Sequence, residues 1–375
     1  MEFEYDEDLM AVSELAGQIF ATRGEVTHLR QIEVDGGFDA PLWKSLADSD
    51  LLGIALPESA GGAGMGMLAL VALLEQQGRH VTNVPVWPVV ASAGLPLTEF
   101  GTEAQIAEWI PGLIDGSVIV TGALETGYGE LPVLAEAAGD GYTLTGQITS
   151  VPAGDLAAAV LVPARTATGE TIVAIVRTDA AGVTRTPLQV TSYEATASVD
   201  LAGVSVSAGD VLPGDGAQIL SWTLSRARVA LSALAIGVTA AALEQTATYT
   251  SEREQFGRPL STNQAVAVRA ADTYLDSESI RLTTQRAAWL MDLGKDDHEV
   301  DTAALVAKFW ASRGGLRAVH ATQHLHGGMG ADIDYPIHRY FLWGRQIAFS
   351  LGSAGRIGAE LGDALAHGAS IGSPE

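Results

Sequence analysis

In this 375-residue chain the side chains best suited to chemistry gather in one stretch, Tyr249 to Ala265, which reads YTSEREQFGRPLSTNQA. Arg253 falls near the end of an apolar, Ala-rich helical run, and Gly257-Arg258-Pro259 then turns the chain into a second long helical run. Arg253, Phe256 and Arg258 are thereby expected together at one end of a helical hairpin. A guanidinium pairs bidentately with phosphate and an aromatic ring stacks on a flat heterocycle, so the trio suits a planar, phosphate-bearing ligand. The competing reading is a surface turn whose arginines are solvated or pair with Glu252 and Glu254. Three further patterns carry less. His320, His324 and His326, with His338 after them, are close enough to suggest a metal, but no acid or cysteine completes a familiar ligand spacing. GGAGMG at residues 61–66 matches neither nucleotide-binding glycine pattern and reads as a structural turn. Ser and His are present without a G-x-S-x-G elbow, and the absence of cysteine excludes thiolate nucleophiles and disulfides.

These residues need elements to hold them. Apolar spacing predicts a helix over 7–21, Pro41 opens another as a first-turn proline, and Thr102 to Gln105 is a capping box whose helix Pro111 is expected to end. From about Val118 the runs become short and rich in Val and Thr, separated by Gly, Asp and Pro, which predicts a small antiparallel β-domain. Helical periodicity returns at about Ala217, and the tail Gly368 to Glu375 has little to bury. The expected organisation is a helical domain over 1–116, a β-domain over 117–216 and a helical bundle over 217–375. The fold class is mainly α with a central β-domain. Trp43, Trp87, Trp109 and Trp343 are expected in the core or an interface.

A net charge of −24 argues against nucleic acid and anionic membrane surfaces as partners. Of the 21 Lys and Arg, seven precede residue 220 and fourteen follow it, so an anionic ligand finds its counter-charges in the last third. No apolar run is expected to be long enough to span a membrane, and MEFEYDEDLM is acidic where a secretory signal is basic, so a cytoplasmic protein is expected.

The 249–265 stretch resembles the signature of the acyl-CoA dehydrogenases. LWKSLADSDLLGIALPESAGGAG (Leu42 to Gly64) is similar to their N-terminal helical segment, and HLHGGMGADIDYPIHRYF (His324 to Phe341) to their late Gly-rich motif. The resemblance covers most of the chain. It implies an N-terminal helical domain, an antiparallel β-domain and a C-terminal four-helix bundle, with FAD as cofactor. It also implies that Arg253 and Phe256 contact FAD held by a neighbouring subunit, and that the segment from His324 through Gly327 and Gly328 lies along its adenosine part. The family reaction removes the α-proton of an acyl thioester with a carboxylate while the β-hydride passes to the flavin.

Against that family the chain departs where chemistry happens. Counting from Tyr335-Pro336 brings Leu351 to the usual seat of the Glu base, and the alternative seat, counted back from Phe256-Gly257, holds Ala227. Arg228 beside it matches a family Arg. Leu124-Glu125-Thr126 stands where a flavin-touching Thr-Glu-Pro is usual, Ser150-Val151-Pro152 where a Trp-Ile-Thr lines the ring, and His324 where Gln is usual. Arg253, Phe256, Gly327, Gly328 and Gly330 are retained. Half a site kept and half lost resembles the degenerate subunit of the α2β2 acyl-CoA dehydrogenases of actinobacterial steroid catabolism, as does HRYFLWGRQIAFSLGSAG. That implies a homologous catalytic partner supplying the base, most of the flavin cradle and most of the acyl-CoA pocket. Two other readings stand beside it. One is a homomeric dehydrogenase using Asp332, Asp334 or Glu125 as base, although such acids are ordinarily caps or surface charges. The other is a scaffold or regulatory protein without flavin.

Overall fold

The computed structural model describes residues 4–125 and 131–367. Thr126 and the tail Gly368 to Glu375 lie outside the described residues. Helices α1 (Glu7–Ala21), α2 (Val26–Val34), α3 (Ala40–Ala47), α4 (Gly66–His80), α5 (Val86–Val89), α6 (Leu95–Phe100) and α7 (Glu103–Ile114) precede the first strand. Their starts are written in the side chains. Asp6 accepts from the Leu9 N–H at 2.9 Å to open α1, and Glu7 and Asp8 in its first turn complement the helix dipole. Asp39 opens α3 in the same way through Leu42. On α7 the Thr102–Gln105 capping box closes in both directions, and the Gln105 amide also donates to the carbonyls of Gly209 and Val211. Pro111 does not end α7, as the sequence suggests; the helix continues to Ile114. A proline removes one N–H from the ladder, which a single further turn tolerates when its other face is buried at Ile110 and Leu113.

Strands β1 (Val120–Gly122), β2 (Val133–Ala138), β3 (Gly141–Pro152), β4 (Ala159–Thr166), β5 (Thr171–Arg177), β6 (Val183–Pro187) and β7 (Thr196–Val206) make one sheet of order β1-β4-β2-β3-β7-β6, with β5 also on β4. The sheet is mixed where the sequence suggests an antiparallel one: β4 takes β1 and β2 in parallel and β5 antiparallel. Alternation along a strand reports which faces are buried and carries no sign of the neighbour's direction. The 153–157 turn that returns the chain to β4 is held by Arg185, which donates to the carbonyls of Gly154, Asp155 and Ala157. Ala159 to Ala164 of β4 are buried, as a central strand requires, whereas β6 is an exposed edge carrying Arg185 and Pro187.

Helix α8 (Gly216–Glu252) is followed by a two-residue ribbon, β8 (Glu254–Gln255) with β9 (Arg258–Pro259), and then by α9 (Gln264–Asp292), α10 (Asp297–Leu325), α11 (Ile337–Phe349) and α12 (Ala354–His367). One expectation needs correction here. α8 contains an 18-residue window long and apolar enough to cross a membrane, but 83% of it is buried inside the protein, so it is a core helix. Its alanines and glycines permit close packing. A Cβ on Gly237 would meet the Glu75 carbonyl of α4 at 1.9 Å, and one on Gly78 would meet the Leu234 carbonyl at 2.2 Å. The two backbones therefore touch where both residues are glycine. The chain divides into two compact units, residues 1–31, 71–82 and 228–375 in one and 32–70 with 83–227 in the other. The Arg253 stretch and the late Gly-rich motif both belong to the first.

Candidate functional site

α8 runs out at Glu252, and Arg253 keeps the last helical bond, its N–H donating to the Tyr249 carbonyl at 2.8 Å. The Leu260 N–H then bonds the Arg253 carbonyl at 2.9 Å, closing the base of the β8–β9 hairpin. The tip is Phe256-Gly257, one residue earlier than the sequence suggests, with both residues at positive φ (55° and 77°) between the paired Gln255 and Arg258. Two positive-φ residues in a two-residue loop are the geometry of a type I′ turn, which favours Asn-Gly. Glycine adopts that backbone without strain and phenylalanine does not. The Phe256 ring is also 99% exposed. Neither backbone preference nor burial accounts for Phe at this position. Among the described residues the Arg253 side chain has no hydrogen-bond or ion-pair partner, whereas Arg258 donates to Asn263 Oδ1 at 2.8 Å.

The late motif turns at the C-terminal end of α10. His326 caps that helix, Gly327 follows at φ 58°, and a Cβ on Gly327 or Gly328 would meet nothing within 4 Å. The surface over this pair is open to close approach. Gly330 differs, since a Cβ there would strike the Gln323 carbonyl at 2.3 Å. His326 is fully buried. Its Nδ1–H donates to the Thr322 carbonyl at 2.8 Å, and burial pushes its pKa below the usual imidazole range. The ring stacks on Tyr249 at 4.5 Å and lies 5.3 Å from Tyr335, and the Tyr249 hydroxyl donates to the His326 carbonyl at 3.4 Å. Tyr249 sits one helical turn before Arg253, so this aromatic cluster fastens the Arg253 end of α8 to the Gly327-Gly328 turn. Sequence reading missed Tyr249 and Tyr335; the i, i+4 spacing from Tyr249 to Arg253 was the available signal. The other histidines go elsewhere: His320 lies edge-on to Phe341, His338 donates to the Tyr335 carbonyl, and His324 Nδ1 meets the Arg269 guanidinium. Among the described residues no group of three or more His, Asp or Glu is placed to hold a metal.

At the expected seats of a base the structure places apolar side chains. Ala227 is fully buried within α8, and Leu351, 4% exposed, sits at φ 54° in the turn between α11 and α12. Two cations hold that turn. Arg228 Nε donates to the Leu351 carbonyl at 3.3 Å, and the fully buried Lys308 donates to the carbonyls of Ile347 and Gly352, each at 3.0 Å, and to Ser312 Oγ at 2.5 Å. The backbone of the seat is thus firmly built around a side chain that cannot take a proton.

Comparison with known proteins decides the family. Residues 7–117 match the acyl-CoA dehydrogenase N-terminal domain and residues 214–356 its C-terminal domain. Acyl-CoA dehydrogenase FadE27 of Mycobacterium tuberculosis is 38% identical over 346 residues, which cover 90% of this chain and 92% of that protein. This chain belongs to the acyl-CoA dehydrogenase family. Two solved structures are similar along nearly its whole length. One, a variant of the Tcur3481-Tcur3483 steroid ACAD, is 44% identical with a TM-score of 0.90, covering 96% of this chain and 98% of that one. The other, the ChsE4-ChsE5 complex from Mycobacterium tuberculosis, is 35% identical with a TM-score of 0.93, covering 99% and 100%.

For an acyl-CoA dehydrogenase family member the question becomes which group could serve as base. Burial would raise the Glu360 carboxyl, but Arg228 at 2.6 Å and Arg356 at 2.8 Å outweigh it and hold the group below the usual carboxylate range, which makes it a weak proton acceptor. Asp332 is exposed and accepts from the Asp334 N–H, and Asp334 pairs with Arg30 at 2.6 Å. The first of these acids shapes a turn and the second makes a surface pair. FAD is the cofactor that family membership indicates. The segments that the resemblance assigns to FAD fit it unequally, each taken by itself. Arg253 and the open glycine pair suit the phosphate-bearing nucleotide. Leu124 and Val151 are buried and apolar, Pro152 has no N–H, and its carbonyl already accepts from Thr121 Oγ1 at 2.8 Å. The side chains of Leu124, Val151 and Pro152 offer a flavin ring no hydrogen-bond donor.

Proposed function

We propose that this chain is the non-catalytic subunit of a heteromeric, FAD-dependent acyl-CoA dehydrogenase, completing the cofactor site of a homologous partner. One observation carries the reading: Phe256 is held fully exposed on a strained tip beside an Arg253 side chain that has no partner among the described residues, while Leu351 and Ala227 occupy both expected seats of the base. A ring and a guanidinium presented outward in this way are built for a ligand held largely by another chain. In this reading Arg253 binds the pyrophosphate, Phe256 packs on the nucleotide, and His324, Gly327 and Gly328 lie along its adenosine part. The partner supplies the Glu that removes the α-proton, most of the flavin cradle and most of the acyl-CoA pocket. FAD, when bound, supplies the acceptor for the β-hydride. The likeness to a steroid dehydrogenase and to a two-protein complex supports an α2β2 assembly acting on an acyl-CoA derived from a steroid side chain, and the acidic N-terminal stretch is the ground for placing it in the cytoplasm.

The test is FAD per chain, read from flavin absorbance for the chain purified alone and after co-expression with its partner. The expected result is an apo chain alone and about one FAD for each pair of chains in the complex. A lone chain that binds FAD one-to-one and is reduced by an acyl-CoA overturns the proposal. A colourless complex overturns it in favour of a scaffold. In the active complex, replacing the partner's Glu base by Gln abolishes turnover, whereas Leu351→Ala leaves most of it.

A further inference from the structure

Arg269, near the start of α9, spends its side chain in an unexpected way. Its Nη1 meets His324 Nδ1 on α10, and among the described residues the guanidinium has no other partner. Both residues line an open groove of about 540 Å³ between α9 and α10, and Asp272 and Asp276 line it too. Asp276 is taken by Arg317, whose Nε donates to Oδ2 at 2.6 Å while its Nη2 bonds Oδ1. Arg269 thus faces an imidazole although carboxylates share the groove.

That contact has a chemical consequence. A guanidinium carries five donors and no acceptor, so a hydrogen bond to it requires a lone pair on Nδ1. A neutral imidazole with its lone pair on Nδ1 bears its hydrogen on Nε2. We propose that Arg269 is a positioning residue: it fixes His324 as the Nε2–H tautomer, so that His324 presents a donor to the nucleotide beside Gly327 and Gly328. The role at the nucleotide rests on the cofactor-site reading above. It also explains how histidine can replace the glutamine that the resemblance places here, since both side chains can then present an N–H donor. A free imidazole would divide itself between two tautomers, one of them an acceptor on the nucleotide side. The neighbouring cation removes that choice.

The tautomer can be read directly by long-range ¹H–¹⁵N correlation on the full chain with ¹⁵N-labelled histidine, alone and in the partner complex, with His324→Gln assigning the resonance. The expected pattern is Nε2–H alone at His324, mixed with Nδ1–H in Arg269→Met and kept in Arg269→Lys, which is also donor-only. Both side chains are exposed, so these variants should fold. In the complex, Arg269→Met should weaken FAD binding about tenfold, the worth of one well-made hydrogen bond. Adding His324→Gln should recover it, because an amide needs no tautomer set. An Nδ1–H pattern in the wild type, an unchanged pattern in Arg269→Met, or an FAD loss that His324→Gln does not relieve would each overturn the proposal. A complex without any FAD would overturn the cofactor-site reading instead, and the NMR pattern would still decide the tautomer.

Discussion

At Phe256 stability and the proposed cofactor role pull in opposite directions. The ring gains nothing from folding, being 99% exposed, and its backbone sits where a non-glycine residue is strained. Phe256→Asn should therefore stabilise the folded chain by about 1 kcal/mol in denaturant titration, since Asn tolerates that conformation. The same change should weaken FAD retention in the complex roughly tenfold through the lost ring contact. A variant that lost stability would show that the ring packs within its own chain. Glu194 gives a second prediction. Burial raises its carboxyl from 4.5 to about 7, against the lowering effect of the Ser192 hydroxyl that donates to it at 2.8 Å. The native state therefore holds this proton more tightly than the unfolded chain. Its contribution to stability is complete below about pH 4.5 and is lost as pH rises towards 7. Glu194→Gln should flatten the fall of Tm across that window, measured by thermal melts from acid to neutral pH. Arg253, Phe256 and the two glycines could be found in the sequence because their types and order are distinctive. His326 and Lys308 could not, because burial and partners decide what such residues do, and both depend on chain segments far away in sequence.

Helix starts and the change from helix to strand are local matters, which is why Asp6, Asp39 and the Thr102–Gln105 box mark them in the sequence. Strand direction is not local, and the two parallel pairings of β4 were invisible for that reason. Pro111 shows a limit of another kind, since one missing N–H is outweighed by the burial of Ile110 and Leu113 around it. The α4–α8 crossing depends on Gly78 and Gly237, whose spacing within an Ala-rich helix says nothing about what approaches them. Gly237→Val should destabilise the chain by about 3 kcal/mol or more, because the new side chain meets the Glu75 backbone with no room to move. Chemical denaturation would show it, and a loss under about 1 kcal/mol would mean that the helices separate easily.

For the whole molecule the prediction concerns what one residue cannot restore. Leu351→Glu puts a carboxylate at the expected seat of the base, yet in the proposed reading the side chains of Leu124 and Pro152 still give a flavin ring no hydrogen-bond donor. The chain alone should therefore show no acyl-CoA-dependent dye reduction after this change, and turnover would mean that the missing half is only the base. The family and the order of its parts were legible because three separated motifs share one sequence of appearance. The proposed subunit role is harder to read, since it would lie in what two chains have between them. The Phe256 hairpin bears on this in one further way. A two-residue tip clamped by β8 and β9 has little freedom left to lose, so the proposed docking of the ring would need almost no ordering of the chain that carries it. Loosening the clamp without touching the ring, as in Pro259→Gly, would weaken the proposed docking through the entropy of ordering.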